Sequence, residues 1–98
     1  MTVVLHTLNA APSSAAFKDC LKVVQAGDAI VLMGDGVYVA LAGTEACSAL
    51  QTKGAELFIL STHALLAGVT HPAQGISSID IEGLVVLTER YPRQLAWY

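Results

Sequence analysis

Two cysteines, Cys20 and Cys47, are the residues of this chain best suited to covalent chemistry. A thiolate is a strong nucleophile, and its reactivity depends on its accessibility and its pKa. Cys20 lies three residues after Phe17 and four before Val24, on the edge of the apolar stripe of a predicted helix. A thiol in this position is usually a small core residue with a raised pKa. The local sequence leaves a reactive and a structural role open for Cys20.

Cys47 has the more favourable local position for a thiolate, at the third residue of a helix that Thr44 is predicted to cap. Free backbone N–H groups and the helix dipole stabilise negative charge there, although Glu45 opposes it. The chain has no C-x-x-C motif, and its cysteines and histidines lack a known metal-ligand spacing. We therefore expect two free thiols, no metal and no cofactor.

The segment Gly34–Gly36 is a predicted turn at the carboxyl end of a strand, where open α/β sheets often bind ligands. It lacks the G-x-G-x-x-G and G-K-[ST] patterns, and Asp35 would repel a phosphate. A structural turn is therefore favoured over an anion or nucleotide site. Each of the three histidines is isolated in the sequence, which is typical of structural residues: His6, His63 and His71.

Composition restricts the class of protein. Of the 98 residues, 54% are hydrophobic and 13% charged, and the net charge is −3. This excludes disorder and provides no basic surface for direct nucleic-acid binding. We expect no membrane span, because polar residues interrupt the longest uncharged stretch, and no secretory signal. The cytoplasm is the expected compartment.

A small domain this apolar should bury some surface against partners, with Trp97 and Tyr98 as anchors.

Strand and helix patterns alternate along the chain. The predicted strands are Thr2–Leu8, Ala29–Met33, Leu57–Leu60, Ile76–Ile81 and Arg93–Trp97, the last at a sheet edge. The first predicted helix begins at Ser13 or Ser14 and ends at Ala26 before Gly27. Further helices are predicted at Glu45–Lys53, Thr62–Ala67 and Glu82–Tyr91, and Val37–Leu41 favours helix. This order predicts one three-layer α/β domain over residues 1–98, with a mainly parallel sheet of about five strands and helices on both faces.

Several short segments, in their order and spacing, resemble the DsrH/TusB family of small subunits in DsrEFH and TusBCD sulfur-relay complexes. They are Leu5–Thr7, Asp35–Thr44, Ile79–Asp80, Leu87–Thr88 and Gln94–Trp97, and the similarity covers nearly the whole chain. Cys20 matches the position where the DsrH branch carries a cysteine and the TusB branch often has none. The resemblance therefore favours the DsrH branch.

The resemblance implies a role in passing sulfane sulfur as a cysteine persulfide, with Cys20 as the catalytic sulfur carrier. It also implies a heterohexamer with homologous DsrE/TusD-type and DsrF/TusC-type subunits, and a DsrC/TusE-type sulfur acceptor. The pathway would be dissimilatory sulfur oxidation or 2-thiolation of the tRNA wobble uridine.

Some positions depart from the family pattern. Ala67 replaces an arginine of many relatives, Ile81 stands where an aromatic residue is common, and Cys47 matches no family cysteine. The principal relay cysteine of these complexes lies on the DsrE/TusD-type subunit. A non-catalytic structural subunit is therefore the alternative to a sulfur-carrying one, and a small anion- or nucleotide-binding domain is a third hypothesis.

Overall fold

The computed structural model describes residues 3–98, which form a five-stranded, fully parallel sheet. The strands are β1 (Leu5–Leu8), β2 (Ala29–Leu32), β3 (Glu56–Leu60), β4 (Ile76–Ile79) and β5 (Gln94–Trp97). Their order across the sheet is β4-β3-β2-β1-β5. The chain therefore starts in β1, proceeds outward to the β4 edge and returns through one long crossover to β5 on the opposite edge.

Four α-helices and a 3-10 helix connect these strands among the described residues. They are α1 (Ala15–Val23), the 3-10 helix (Gly34–Ala40), α2 (Glu45–Gln51), α3 (Ser61–Leu66) and α4 (Ile81–Arg90). The larger core cluster joins one sheet face to residues of α1, the 3-10 helix, α2 and α3. A smaller cluster joins the other face to Leu87 of α4 and to Tyr91 just after it. The predicted three-layer α/β fold is thereby confirmed.

Right-handed crossovers explain this distribution of helices. The connections from β1 to β4 all move in one direction across the sheet, so their helices lie on the same face. The connection from β4 to β5 moves in the opposite direction, which places α4 on the other face. The Cα radius of gyration of 12.0 Å is close to the value of about 13 Å expected for one globular domain of this length.

Asp28 explains why two elements are shorter than predicted. The backbone N–H of Val4 donates to Asp28 Oδ1 at 3.0 Å, and β1 begins only at Leu5. Thr2, the first residue of the predicted strand, lies outside the described residues. The N–H of Gln25 donates to Asp28 Oδ2 at 3.0 Å, and α1 ends at Val23 instead of Ala26. The carboxylate thus takes backbone donors that the longer elements would have used.

The end of β4 also differs from the prediction. Asp80 accepts a hydrogen bond from the N–H of Gly83 at 2.8 Å, and α4 therefore begins at Ile81, which was predicted to lie in the strand. The side chain of Ile81 is exposed. The predicted edge strand near the C-terminus is present as β5. No helix among residues 3–98 is long and apolar enough to cross a bilayer.

Candidate functional site

Cys20 lies on the inner face of α1, inside the larger core cluster. The helix begins where Ser14 Oγ accepts the N–H of Phe17 at 3.2 Å, which confirms Ser14 as the cap. Phe17 and Cys20, one turn apart, are the buried residues of α1, and the exposed fraction of Cys20 is 0%. The helix therefore directs this thiol into the protein interior.

Burial determines the protonation state of Cys20. It raises the pKa of this thiol from its ordinary value of 9.0 to about 11. The flanking Lys18 and Lys22 are exposed on the outer side of the helix, and Lys22 lies 4.0 Å from Asp19 instead. Cys20 is therefore a protonated, enclosed thiol in the folded chain, as its local sequence position favoured.

Cys47 occupies the predicted place at the start of α2 but not the predicted environment. Thr44 Oγ1 accepts the N–H of Cys47 at 3.3 Å, so the cap is formed as expected. The side chain is nevertheless buried, and this burial raises the pKa of Cys47. Desolvation by burial thus works against the thiolate that the position at the helix start was expected to favour. Both cysteines are free thiols.

The most extensive buried polar arrangement joins His6, Asp28 and Trp97. His6 lies on β1 with an exposed fraction of 0%. Its Nε2 lies 2.9 Å from Asp28 Oδ2, and its Nδ1 lies 3.1 Å from Trp97 Nε1 on β5. The imidazole and indole planes are inclined by only 22°, with 6.2 Å between the ring centroids. Three residues far apart in sequence thus meet on one side of the sheet.

Hydrogen-bond chemistry assigns the protons in this arrangement. The indole nitrogen can only donate, so Nδ1 of His6 must accept and the ring proton must be on Nε2, which donates to Asp28. Burial alone would raise the pKa of Asp28, but hydrogen bonds from Gln25 N–H, from His6 and from Val4 N–H together lower it. The lowered pKa favours an ionised Asp28, and the hydrogen bond from Trp97 requires an unprotonated Nδ1 on His6.

Sequence reasoning missed this arrangement. It treated His6 as an isolated structural residue and Trp97 as a subunit-contact anchor. The pairing becomes visible only from strand order, because β1 lies between β2 and β5. One signal was available: a histidine within a β-branched run needs a buried partner, and Asp28 directly precedes the most apolar strand.

The turn Gly34–Gly36 has a structural explanation. A Cβ at Gly36 would lie 2.1 Å from the backbone oxygen of Leu8, and Gly34 has a φ of +53° with Asn9 close by. The N–H of Gly34 donates to Nδ1 of His63 at 2.8 Å, and the N–H of Gly36 donates to Met33 O. These backbone donors are already engaged, which counts against an anion or nucleotide site in this turn.

An open cavity of about 320 Å³ lies beside this turn, at the carboxyl ends of β2 and β3. It is lined by Gly34, Asp35, Tyr38, His63, Leu66 and Ala67. Because His63 Nδ1 accepts from a backbone N–H, its ring proton lies on Nε2 when the ring is neutral. Neither cysteine lines this cavity. No group of three or more histidine, cysteine, aspartate or glutamate residues within residues 3–98 could hold a metal ion.

Comparison with known proteins agrees with the resemblance in the sequence. A family model described as DsrH like protein matches residues 10–94. TusB of Pectobacterium parmentieri is 37% identical over 94 residues, covering 95% of this chain and 99% of that protein. TusB of Sodalis glossinidius is 33% identical and TusB of Escherichia coli K12 is 31% identical, each with the same coverage.

A solved structure shows the same fold. The YchN protein from E. coli superposes with a TM-score of 0.77, covering 99% of this chain and 100% of that one, at 16% identity. The relatives carry the TusB name and the family model the DsrH name, so the choice of the DsrH branch stays a prediction. The matched residues and the full-length identity establish that this chain belongs to the DsrH/TusB family of sulfur-relay proteins.

Proposed function

We propose that this chain is a structural subunit of a cytoplasmic sulfur-relay complex and does not itself carry sulfur. One observation carries the choice of a structural role: both cysteines of a sulfur-relay family member are buried with raised pKa values. A relay thiol must reach a donor persulfide and attack it as a thiolate. In the folded chain, the thiols of Cys20 and Cys47 are neither accessible to a donor nor readily ionised.

The size of the pKa shift at Cys20 supports the proposal. With a pKa of about 11, only about one Cys20 thiol in ten thousand is ionised at pH 7. The exposed fraction of 0% also prevents a donor from approaching the sulfur without movement of α1. A low thiolate fraction and enclosure act on the same step, so together they slow transfer more than either alone.

Exposed apolar side chains support assembly with other subunits. Large hydrophobic residues are exposed on α3, on α4 and around β5: Leu65, Leu66, Ile81, Val85, Val86, Leu95 and Tyr98. Such surface is unfavourable in water and is typical of protein contacts. The partners we propose are homologous DsrE/TusD-type and DsrF/TusC-type subunits in a heterohexamer. A DsrC/TusE-type protein would accept the sulfur.

The TusB relatives favour 2-thiolation of the tRNA wobble uridine as the pathway, with dissimilatory sulfur oxidation as the alternative. The net charge of −3 is consistent with a role that needs no direct contact with tRNA.

Cys20 as the sulfur carrier remains the second candidate function. Cys20 is a free thiol, so it can form a persulfide without prior reduction of a disulfide. Its position also matches the cysteine of the DsrH branch. This role requires α1 to move away from the sheet during transfer.

Reconstitution of the relay tests the two roles. The complex would be purified with this chain as wild type, as Cys20→Ala, as Cys47→Ala, and as the double variant, and sulfur transfer to the acceptor would be measured. A structural subunit predicts transfer within about twofold of wild type in every assembled variant. Loss of transfer in a correctly assembled Cys20→Ala complex would establish the carrier role instead.

A complex lacking this chain is the matched control. The structural proposal predicts that the remaining subunits assemble incompletely and transfer sulfur poorly. Normal assembly and transfer without this chain would contradict the proposal that it belongs to the relay complex.

A further inference from the structure

We propose that Trp97, His6 and Asp28 form a pH-sensitive latch that holds the C-terminal strand β5 on the sheet and releases it when His6 is protonated. The latch is the arrangement in which Asp28 binds His6 Nε2 at 2.9 Å and Trp97 Nε1 binds His6 Nδ1 at 3.1 Å. None of its three residues lines the cavity beside the Gly34–Gly36 turn, and it uses neither cysteine. The inference is therefore independent of the relay role.

The two partners of His6 favour opposite protonation states. Trp97 can only donate a hydrogen bond, so it requires an unprotonated Nδ1 and hence a neutral ring. Asp28 is an acceptor and is ionised, so it binds a protonated ring more strongly than a neutral one. Protonation of His6 therefore strengthens its contact with Asp28 and places two N–H groups against each other at Trp97.

Asp28 is the fixed partner and Trp97 the movable one. The carboxylate of Asp28 also accepts the N–H groups of Val4 and Gln25, each at 3.0 Å, which hold it between β1 and α1. Trp97 is the last residue of a four-residue strand that pairs on one side only. A protonated His6 would thus keep Asp28 and displace Trp97.

Among residues 3–98, no second ionised group competes for the ring. His6 and Trp97 share the sheet face that α1 covers, where the buried Cys20 is neutral because burial raises its pKa to about 11. The charged residues of α1 are all exposed and lie on its outer side: Lys18, Asp19 and Lys22. Arg93, just before β5, and Glu56, at the start of β3, are also exposed. The response therefore depends on Asp28 and Trp97.

Release of the latch has a defined structural result. The N–H of Leu5 donates to Arg93 O and the N–H of Asn9 donates to Trp97 O, which ties β5 to β1 at both ends. Loss of the Trp97 end would leave the outer edge of β1 open to another strand. The side chain of the neighbouring Tyr98 is already exposed.

NMR spectroscopy of the isotope-labelled chain between pH 8 and pH 5 tests the latch directly. Trp97 is the only tryptophan, so a single indole N–H signal reports its hydrogen bond. At pH 8 we expect His6 as the Nε2–H tautomer and the indole proton shifted to high frequency. On acidification the indole and the β5 amide signals should shift with the same midpoint as the His6 ring nitrogens, while β2 and β3 keep their native signals.

Three variants sharpen the test. Asp28→Asn removes the ionised acceptor that a protonated His6 would keep, so the linked change in the indole and β5 signals should move to lower pH. His63→Asn and His71→Asn are the matched controls and should leave the midpoint unchanged. Any one of three results would overturn the proposal: an Nδ1–H tautomer at pH 8, an indole signal that does not move as His6 titrates, or a His6 that stays neutral until β2 and β3 unfold.

Discussion

Cys20 and Cys47 lie at different places on their helices, yet both have raised pKa values, because each side chain points into the core. For Cys47 the capped helix start was expected to favour a thiolate, and burial reverses that expectation. Sequence patterns show where a helix starts, but the solvent exposure of a side chain on it depends on what packs above it.

Replacement of Cys20 separates its packing role from its chemistry. Cys20→Ser buries a hydroxyl without an assured partner and should lower the free energy of unfolding by about 1–3 kcal/mol. Cys20→Ala removes only the sulfur and should cost roughly 1 kcal/mol. Urea unfolding followed by circular dichroism measures both. A serine variant as stable as wild type would show that this position is more accessible than the structure indicates.

Asp28 makes the free energy of unfolding of the chain depend on pH. Its pKa is lowered in the folded state, so the folded chain binds fewer protons than the unfolded chain. The folded state is therefore stabilised at pH values above the unfolded pKa of about 3.9. This stabilisation is lost as the pH falls through the lowered folded value. Asp28→Asn should therefore reduce stability by roughly 1.5–3 kcal/mol at pH 7, and this difference should shrink below about pH 3.9.

The measurement is urea unfolding of wild type and Asp28→Asn at a series of pH values from 7 to 3. Asp19→Asn, at an exposed position, is the control and should differ little from wild type at any pH. A constant difference between wild type and Asp28→Asn across the series would contradict the assignment of Asp28 as ionised in the fold.

Among single residues, sequence reasoning identified those whose role depends on local spacing. Thr44 was predicted as a cap, and Ser14 was one of two candidates with Ser13; both Thr44 and Ser14 are caps, since a cap needs only the backbone N–H three residues ahead. His6 and Trp97 were assigned separately because they are 91 positions apart and meet only through strand order. Long-range partners of this kind are not encoded in any local pattern.

At the scale of elements, Ser14 provides a clean test of how α1 starts. Sequence reasoning left Ser13 and Ser14 as alternatives, and only Ser14 accepts the N–H of Phe17. Ser14→Ala should lower stability by about 1 kcal/mol, whereas Ser13→Ala should change it by less than about 0.5 kcal/mol. Equal losses in thermal unfolding experiments would contradict this assignment of the cap.

The 3-10 helix depends on a close approach that only glycine permits. A Cβ at Gly36 would lie 2.1 Å from the backbone oxygen of Leu8, so Gly36→Ala should cost roughly 3 kcal/mol or more. Gly43→Ala is the control, because Gly43 has a positive φ but open space around it, and should cost roughly 1–2 kcal/mol. Chemical denaturation compares the two, and a smaller loss for Gly36→Ala would contradict the close packing.

Element types were largely predictable, while element ends were not. Apolar runs and helical spacing predicted all five strands and the four α-helices, because periodicity is a local property. Three of the shifted ends involve Asp28 or Asp80, whose carboxylates bind backbone N–H groups. Which side chain captures a backbone donor depends on tertiary geometry, and so the ends could not be derived from periodicity.

At the scale of the whole molecule, the exposed apolar side chains are the feature most relevant to a relay complex. Leu66 on α3 has an exposed fraction of 87% and also lines the cavity beside the Gly34–Gly36 turn. Leu66→Asp should change the stability of the isolated chain by less than about 0.5 kcal/mol, because the side chain contributes little to the core. If α3 contacts a partner subunit, the same change should weaken assembly at least tenfold.

Thermal unfolding of the isolated chain and co-purification with its partner subunits measure the two effects separately. Thr62→Asp, also exposed on α3, provides a matched charge control. Equal assembly of wild type and Leu66→Asp would place the partner contact elsewhere on the molecule.

The measurement that most directly tests a structural role is peptide mass spectrometry of the assembled complex after loading with a persulfide-charged sulfurtransferase. The peptides containing Cys20 and Cys47 can be followed separately for added sulfur. We predict sulfur on a partner subunit and none on either peptide of this chain, because both thiols are buried and protonated. Sulfur on Cys20, at a level comparable to the partner cysteine, would contradict this account and make the chain a sulfur carrier.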